Sequence, residues 1–224
     1  MTSLRKVWAV AAKDLLVELR TWEMVSAMLV LAVLVLGEFS FALDFHGATA
    51  RAAAPGVLWA TVVLSGSLAL SRSLARERDE RCLDGLRMAP VDPAVIWGGK
   101  ALGALLVMVA VEGVLLPLMV VLFDVPLLRP GILRVLALGT VGYAAVGTLV
   151  AAMAASTRAR EVLLPVLLLP LVMPVLIAAV RATSALLAGA PPTEVAGWTR
   201  LLVVYDLVMG AVCLMTCGYV LEEG

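Results

Sequence analysis

Six apolar stretches dominate the chain, near residues 22–43, 56–75, 95–122, 132–155, 161–180 and 201–221. Crossing the hydrocarbon core of a bilayer takes about 20 helical residues, so each stretch is long enough to span. The third is longer than it needs to be and predicts a tilted helix or one with an interfacial extension. Ahead of the first span, residues 3–20 read SLRKVWAVAAKDLLVELR. Leu4, Val7, Trp8, Ala11, Ala12, Leu15 and Leu19 recur at helical spacing, while Arg5, Lys6, Lys13, Asp14, Glu18 and Arg20 fall on the other side. That pattern predicts a helix lying in the membrane interface. It does not read as a cleavable signal, which needs a short apolar core and a small-residue cleavage site.

The longest polar interruption runs from Arg72 to Lys100 and splits the second span from the third. Arg76 with Glu80, and Glu77 with Arg81, stand four apart, so each pair meets on a helix surface. Leu83 and Leu86 add a small apolar stripe. Pro90 ends the helix, and Asp92-Pro93 reads as the N-cap and first-turn proline of the next. The segment is either a solvated connector or a short helix, near 76–89, that touches another protein.

The fifth stretch carries Pro165, Pro170 and Pro174. Each proline removes one backbone hydrogen bond and crowds the preceding turn, so the expectation is a broken or strongly kinked span. Such a break is tolerated in a bilayer where neighbours or water satisfy the freed carbonyls. Residues 181–189 then read as a separate short helix at the outer surface, stopped by Gly189, Pro191 and Pro192.

Composition strengthens the membrane assignment. The chain is 62% hydrophobic and 15% charged, against roughly 45–50% and 25% in soluble proteins. The formal net charge is zero, which gives no argument for nucleic acid. The placement of charge says more. Twelve of the lysines and arginines, including Arg5, Lys6, Lys13, Arg20 and those between Arg72 and Lys100, fall on one side, and five fall on the other. The positive-inside rule then puts both termini and the charged connection in the cytoplasm. Cys82, Cys213 and Cys217 match no metal or haem-attachment spacing and read as packing residues. Trp22, Trp59, Trp97 and Trp198 sit near span ends and read as an interfacial belt.

Glu38, Glu112 and Asp206 lie within or near the ends of spans. A charge at such a place costs about 2.5–3.5 kcal/mol on insertion scales, which makes an intramembrane acid a candidate for transport or proton handling. Glu112, deep in the third span, and Asp206 are the foremost; an interfacial or hydrogen-bonded carboxyl is the alternative. His46 is a single histidine beside Asp44 in an outer connection, and one ligand makes no zinc site. No phosphate-binding loop is present, and no nucleophile, base and orienting group converge. The chain reads as a non-catalytic transmembrane protein with no metal of its own.

Two runs carry a family resemblance. Ala54 to Lys100 contains Ala54-Pro55-Gly56 opening the second span, the charged helix Arg76–Arg81, Leu83 with Leu86, Pro90 and the closing Lys100. Val162 to Ile177 contains the pair Pro170 and Pro174. These runs, the length and the six spans resemble the cytochrome c maturation protein B (CcmB) family. The resemblance implies that residues 1–224 form a single permease domain of an ABC transporter in the bacterial inner membrane. It implies a separate ATPase, CcmA, which binds the ATP, together with CcmC, the small CcmD and, indirectly, the haem chaperone CcmE. Haem would be a substrate of the complex rather than a cofactor of this chain, either exported or carried by a CcmE whose release ATP hydrolysis drives. A second copy of this chain is a further expected partner.

The docking helix on the ATPase would then be the cytoplasmic one, with Leu83 and Leu86 as apolar anchors and Glu77, Asp79, Glu80, Arg81 and Asp84 as the charged surround. The alternatives are a permease of similar architecture that exports lipid, polysaccharide or drug, and an ion-coupled carrier using Glu112 or Asp206. The expected fold is all-α: six transmembrane helices, an amphipathic interfacial helix at the N-terminus, and a cytoplasmic coupling helix between spans two and three.

Overall fold

The structure, a computed structural model, describes residues 3–42, 48–79, 92–155 and 160–223. The described residues form helices and no strands: α1 Ser3–Thr21, α2 Glu23–Ala42, α3 Ala48–Asp79, α4 Pro93–Phe123, α5 Pro130–Ala155, α6 Arg160–Leu187 and α7 Pro192–Glu223. Helices α2 to α7 are each long and apolar enough to cross a membrane. At ~1.5 Å per residue, the 31 residues of α4 run about 46 Å, well beyond the roughly 30 Å of hydrocarbon.

Helices α3 and α5 form the centre, with 67% and 72% of their spanning windows buried. Helix α2 packs on α3 and α4, while α7 packs on α5 and α6 and leaves most of its surface open. Between membrane helices the hydrophobic effect supplies no drive, because lipid is as apolar as leucine; close packing and hydrogen bonds hold the bundle instead. The central pair shows how. The Trp59 ring of α3 lies over Gly139 of α5, and Tyr143 of α5 lies over Gly66 of α3, where a β-carbon would stand 2.7 Å from the Tyr143 ring. Leu70 fills the same kind of gap over Gly147. Trp59 Nε1 donates to Thr183 Oγ1 of α6 at 3.2 Å. Only 2% of Trp59 is exposed, so it is a core anchor and not part of the interfacial belt expected from its position in the chain.

The proline-rich span differs from its sequence expectation. Pro165, Pro170 and Pro174 lie inside one uninterrupted helix, Arg160–Leu187, and residues 181–187 continue it rather than forming a separate outer helix. Each proline removes a single N–H and so costs one helical hydrogen bond, to the carbonyl four residues earlier, a loss that the rest of the helix absorbs. Beside Pro174, Tyr205 Oη of α7 donates to the Leu171 carbonyl at 2.8 Å and ties the two helices together. Pro170 and Pro174 are exposed on the outer face, where their rings displace lipid rather than a packed helix. The helix ends at Gly189, in the left-handed conformation with φ 70°, followed by Pro191 and Pro192.

Two starts also differ. α3 begins at Ala48, with Pro55 inside it, because the alanine-rich run around Arg51 is strongly helical. α7 begins at Pro192, where a first-turn proline needs no N–H partner. At this end of the bundle Arg51 pairs with Asp124, and Arg129 Nη1 donates to the Leu186 carbonyl at 3.3 Å.

Candidate functional site

Two places bear on the candidate residues anticipated from the sequence: the charged end of the bundle and the middle of the span. At the charged end, α3 runs past its apolar window, which closes at Arg72, and reaches Asp79. Glu77 and Asp79 fall within its last turns. Glu80, Arg81, Leu83, Asp84, Leu86 and Pro90 lie outside the described residues, as do Cys82 and His46. The chain re-enters at Asp92, whose Oδ1 accepts from Ala94 N at 2.9 Å with Pro93 at the first helical position. The connection that holds Leu83 and Leu86 is thus mounted between a helix prolonged out of the apolar zone and one whose start is capped.

Helix α1 braces the second of these mounts. It lies along the start of α4, with Val7 and Val10 over Gly98 and Gly99, and Ala11 and Asp14 over Gly103. Missing β-carbons on α4 let the two backbones approach. Lys100 is 7% exposed and places Nζ 3.5 Å from Asp14 Oδ2. One turn on, Glu18 is buried, and its Oε1 accepts from Val25 N at 2.7 Å. Val25 is the third residue of α2, and Trp22 occupies the N-cap position with φ 54° and no side-chain oxygen to offer. Glu18 therefore supplies the cap that Trp22 lacks, at the positive end of the α2 dipole. Amphipathic periodicity assigned Asp14 and Glu18 to the solvated side of α1; the structure turns both inward, because each has a partner on another helix. The signal that could have found them is their spacing, since Val7, Ala11, Asp14 and Glu18 form a single 4-3-4 stripe.

At mid-span a single turn of α5 collects polar groups from three neighbours. Thr140 Oγ1 donates to Glu112 Oε1 of α4 at 2.6 Å. Gly142 leaves the room into which the Asp206 carboxyl of α7 projects. Tyr143 Oη donates to the Val63 carbonyl of α3 at 2.9 Å and meets Ser67 Oγ at 2.7 Å. Glu112 is 6% exposed. Both Asp206 oxygens are closed off with no hydrogen-bond partner among the described residues. The two candidate acids thus flank the same turn of α5 from different helices, a juxtaposition that periodicity alone does not reveal. Cys213 and Cys217 are buried free thiols, and Cys213 packs against the Ala145 carbonyl at 3.8 Å. Among the described residues no group of three potential metal ligands comes together.

A polytopic helical bundle, with a charged connection mounted at one end and a polar layer at its centre, defines a multi-pass membrane protein. The profile of the family described as CcmB protein matches residues 5–222, and the chain belongs to that family. It is 34% identical over 157 residues, 68% of this chain and 70% of the relative, to heme exporter protein B of Paracoccus denitrificans (strain Pd 1222).

Proposed function

We propose that this chain is the transmembrane subunit of an ABC transporter complex that serves haem export in cytochrome c maturation. It sits in the inner membrane with both termini in the cytoplasm. A separate ATPase of the CcmA type docks on the connection between α3 and α4, with Leu83 and Leu86 as anchors within the charged surround of Glu77, Asp79, Glu80, Arg81 and Asp84. CcmC and CcmD complete the complex, and the haem-loaded chaperone CcmE is its downstream client. ATP is bound and hydrolysed in the partner, and this chain is non-catalytic.

The observation that carries this reading is the mounting of the connection. α3 continues beyond its apolar window, α4 starts on a capped turn, and α1 clamps the first turns of α4 through Lys100 and Asp14. A push on the connection is thereby delivered to α3 and α4 together, and through α4 to α1 and α2. The family relationship supports the assignment to haem handling. On this reading Glu112 and Asp206 mark the layer around which α4 and α7 shift against α5, and Pro165, Pro170 and Pro174 lend α6 its compliance.

The test is complementation. In a strain lacking the chromosomal copy, the wild-type chain restores covalent haem in c-type cytochromes, read by haem stain. Leu86→Asp, expressed to the same level in the membrane, fails to restore it. Full restoration by Leu86→Asp removes the docking assignment. Unchanged c-type cytochromes in the deletion strain remove the role in their maturation.

A further inference from the structure

The outward surface of α1 has a charge distribution of its own. Its acids, Asp14 and Glu18, are both turned toward the bundle, one against Lys100 and the other against the start of α2. What remains outside is basic: Arg5, Lys6, Lys13 and Arg20, of which Lys13 also reaches Asp14 at 3.2 Å. Roughly a quarter-turn round the helix from the docked stripe, Leu4, Trp8 and Leu19 stand open at 82%, 58% and 54% exposure. The basic residues follow further round. The order is therefore docked flank, apolar stripe, and an arc in which the basic residues border the exposed Leu16 and Val17.

That order suits one environment. A helix flanked by the bundle, with leucine and tryptophan pointing one way and arginine and lysine another, lies at the level of the headgroups with its apolar stripe in the acyl region. A purely aqueous face would not keep so continuous an exposed apolar stripe. Asp14 is held by Lys13 and Lys100, so Arg5, Lys6 and Arg20 leave the arc net basic and its complement is negative. We propose that the outer face of α1 is a binding surface for anionic phospholipid headgroups, contacted by Arg5, Lys6 and Arg20. The part-buried pair Asp14–Lys100 makes this lipid-bound helix one body with the start of α4. This inference does not depend on the identity of the transported group.

A photoreactive phenylalanine analogue at Leu16 tests it. Leu16 is exposed and lies on the helical row that joins Arg5 and Arg20. The full chain is reconstituted in vesicles of equal parts phosphatidylglycerol and phosphatidylcholine, irradiated, and its adducts are identified by mass spectrometry. With up to about fivefold preference per basic residue at an anionic surface, phosphatidylglycerol adducts exceed phosphatidylcholine adducts by about tenfold or more. In Arg5→Gln/Lys6→Gln/Arg20→Gln the two become equal. Equal adducts with the three basic residues in place overturn the proposal. So does a protein adduct in native membranes in place of a lipid one, which would assign the arc to an acidic protein surface.

Discussion

Lys100 and Asp14 are 86 residues apart in sequence, and their side chains meet at 3.5 Å where α1 crosses the first turns of α4. The contact explains why a lysine is tolerated at 7% exposure at the start of a membrane helix, and why an aspartate lies on the apolar stripe of an amphipathic one. Removing one partner of a buried pair leaves a desolvated charge. The full penalty is about 3–5 kcal/mol for a completely buried pair, and about 1–3 kcal/mol is expected here because Asp14 keeps contact with solvent. Lys100→Met and Asp14→Ala should each lower the unfolding midpoint of the detergent-solubilised protein. The double substitution should cost less than the sum, and strict additivity would mean that the two do not interact.

Glu18 should behave as a helix cap. Glu18→Ala removes the acceptor of Val25 N and should destabilise by about 1–2 kcal/mol. Glu18→Gln keeps an acceptor and loses only the charge at the dipole, about 0.3–1 kcal/mol. Amide exchange at Val25 provides the local reading: protection should fall sharply in the alanine variant and little in the glutamine variant.

The glycines of the central pair should not be interchangeable with those at the lipid surface. A methyl group at Gly139 would enter the Trp59 ring, so Gly139→Ala should cost about 1–3 kcal/mol. Gly113, Gly210 and Gly218 face open space. Alanine at any of them should be neutral or stabilising by up to about 1 kcal/mol through helix propensity. Thermal unfolding of the four single variants decides the matter, and equal effects at all four sites would contradict the packing described.

The polar layer makes a separate prediction. Thr140→Val strips Glu112 of its donor and should destabilise by about 1–3 kcal/mol, the cost of an orphaned buried polar group. In a Glu112→Leu background the same substitution should cost little. A full penalty in both backgrounds, measured by the same unfolding assay, would separate the two residues.

Much of the fold was legible because bilayer thickness imposes its own length on apolar runs, and six of them are plain in the chain. The ends were less so. Pro55 and Pro192 look like boundaries to the eye, yet Pro192 opens α7 where a first-turn N–H has no helical partner, and Pro55, well inside α3, costs a single bond that the long helix absorbs. The three prolines of α6 signalled a break. The structure answers with a continuous helix: each proline costs one helical hydrogen bond, and the remaining ladder, with the packing of α6 on α5 and α7, holds the rest. Such packing depends on tertiary placement and leaves no local trace. The same holds for the site. Glu112 and Asp206 stood out as acids in apolar surroundings, but that they flank one turn of α5 depends on Thr140 and Gly142, which are ordinary membrane-helix residues when read singly. Charge marks solvent in an amphipathic pattern, whereas Asp14 and Glu18 turn inward because one has a partner far away in sequence and the other a partner on the next helix.

The most direct test of the account is whether the α3–α4 connection holds an ATPase. The chain is co-expressed with its candidate ATPase subunit, extracted in mild detergent and captured through a tag on this chain. The account predicts that the ATPase co-purifies with the wild-type chain and with Arg51→Ala at the opposite end of the bundle, and is lost from Leu86→Asp. Retention of the ATPase by Leu86→Asp, or its absence from the intact wild-type chain, would contradict it.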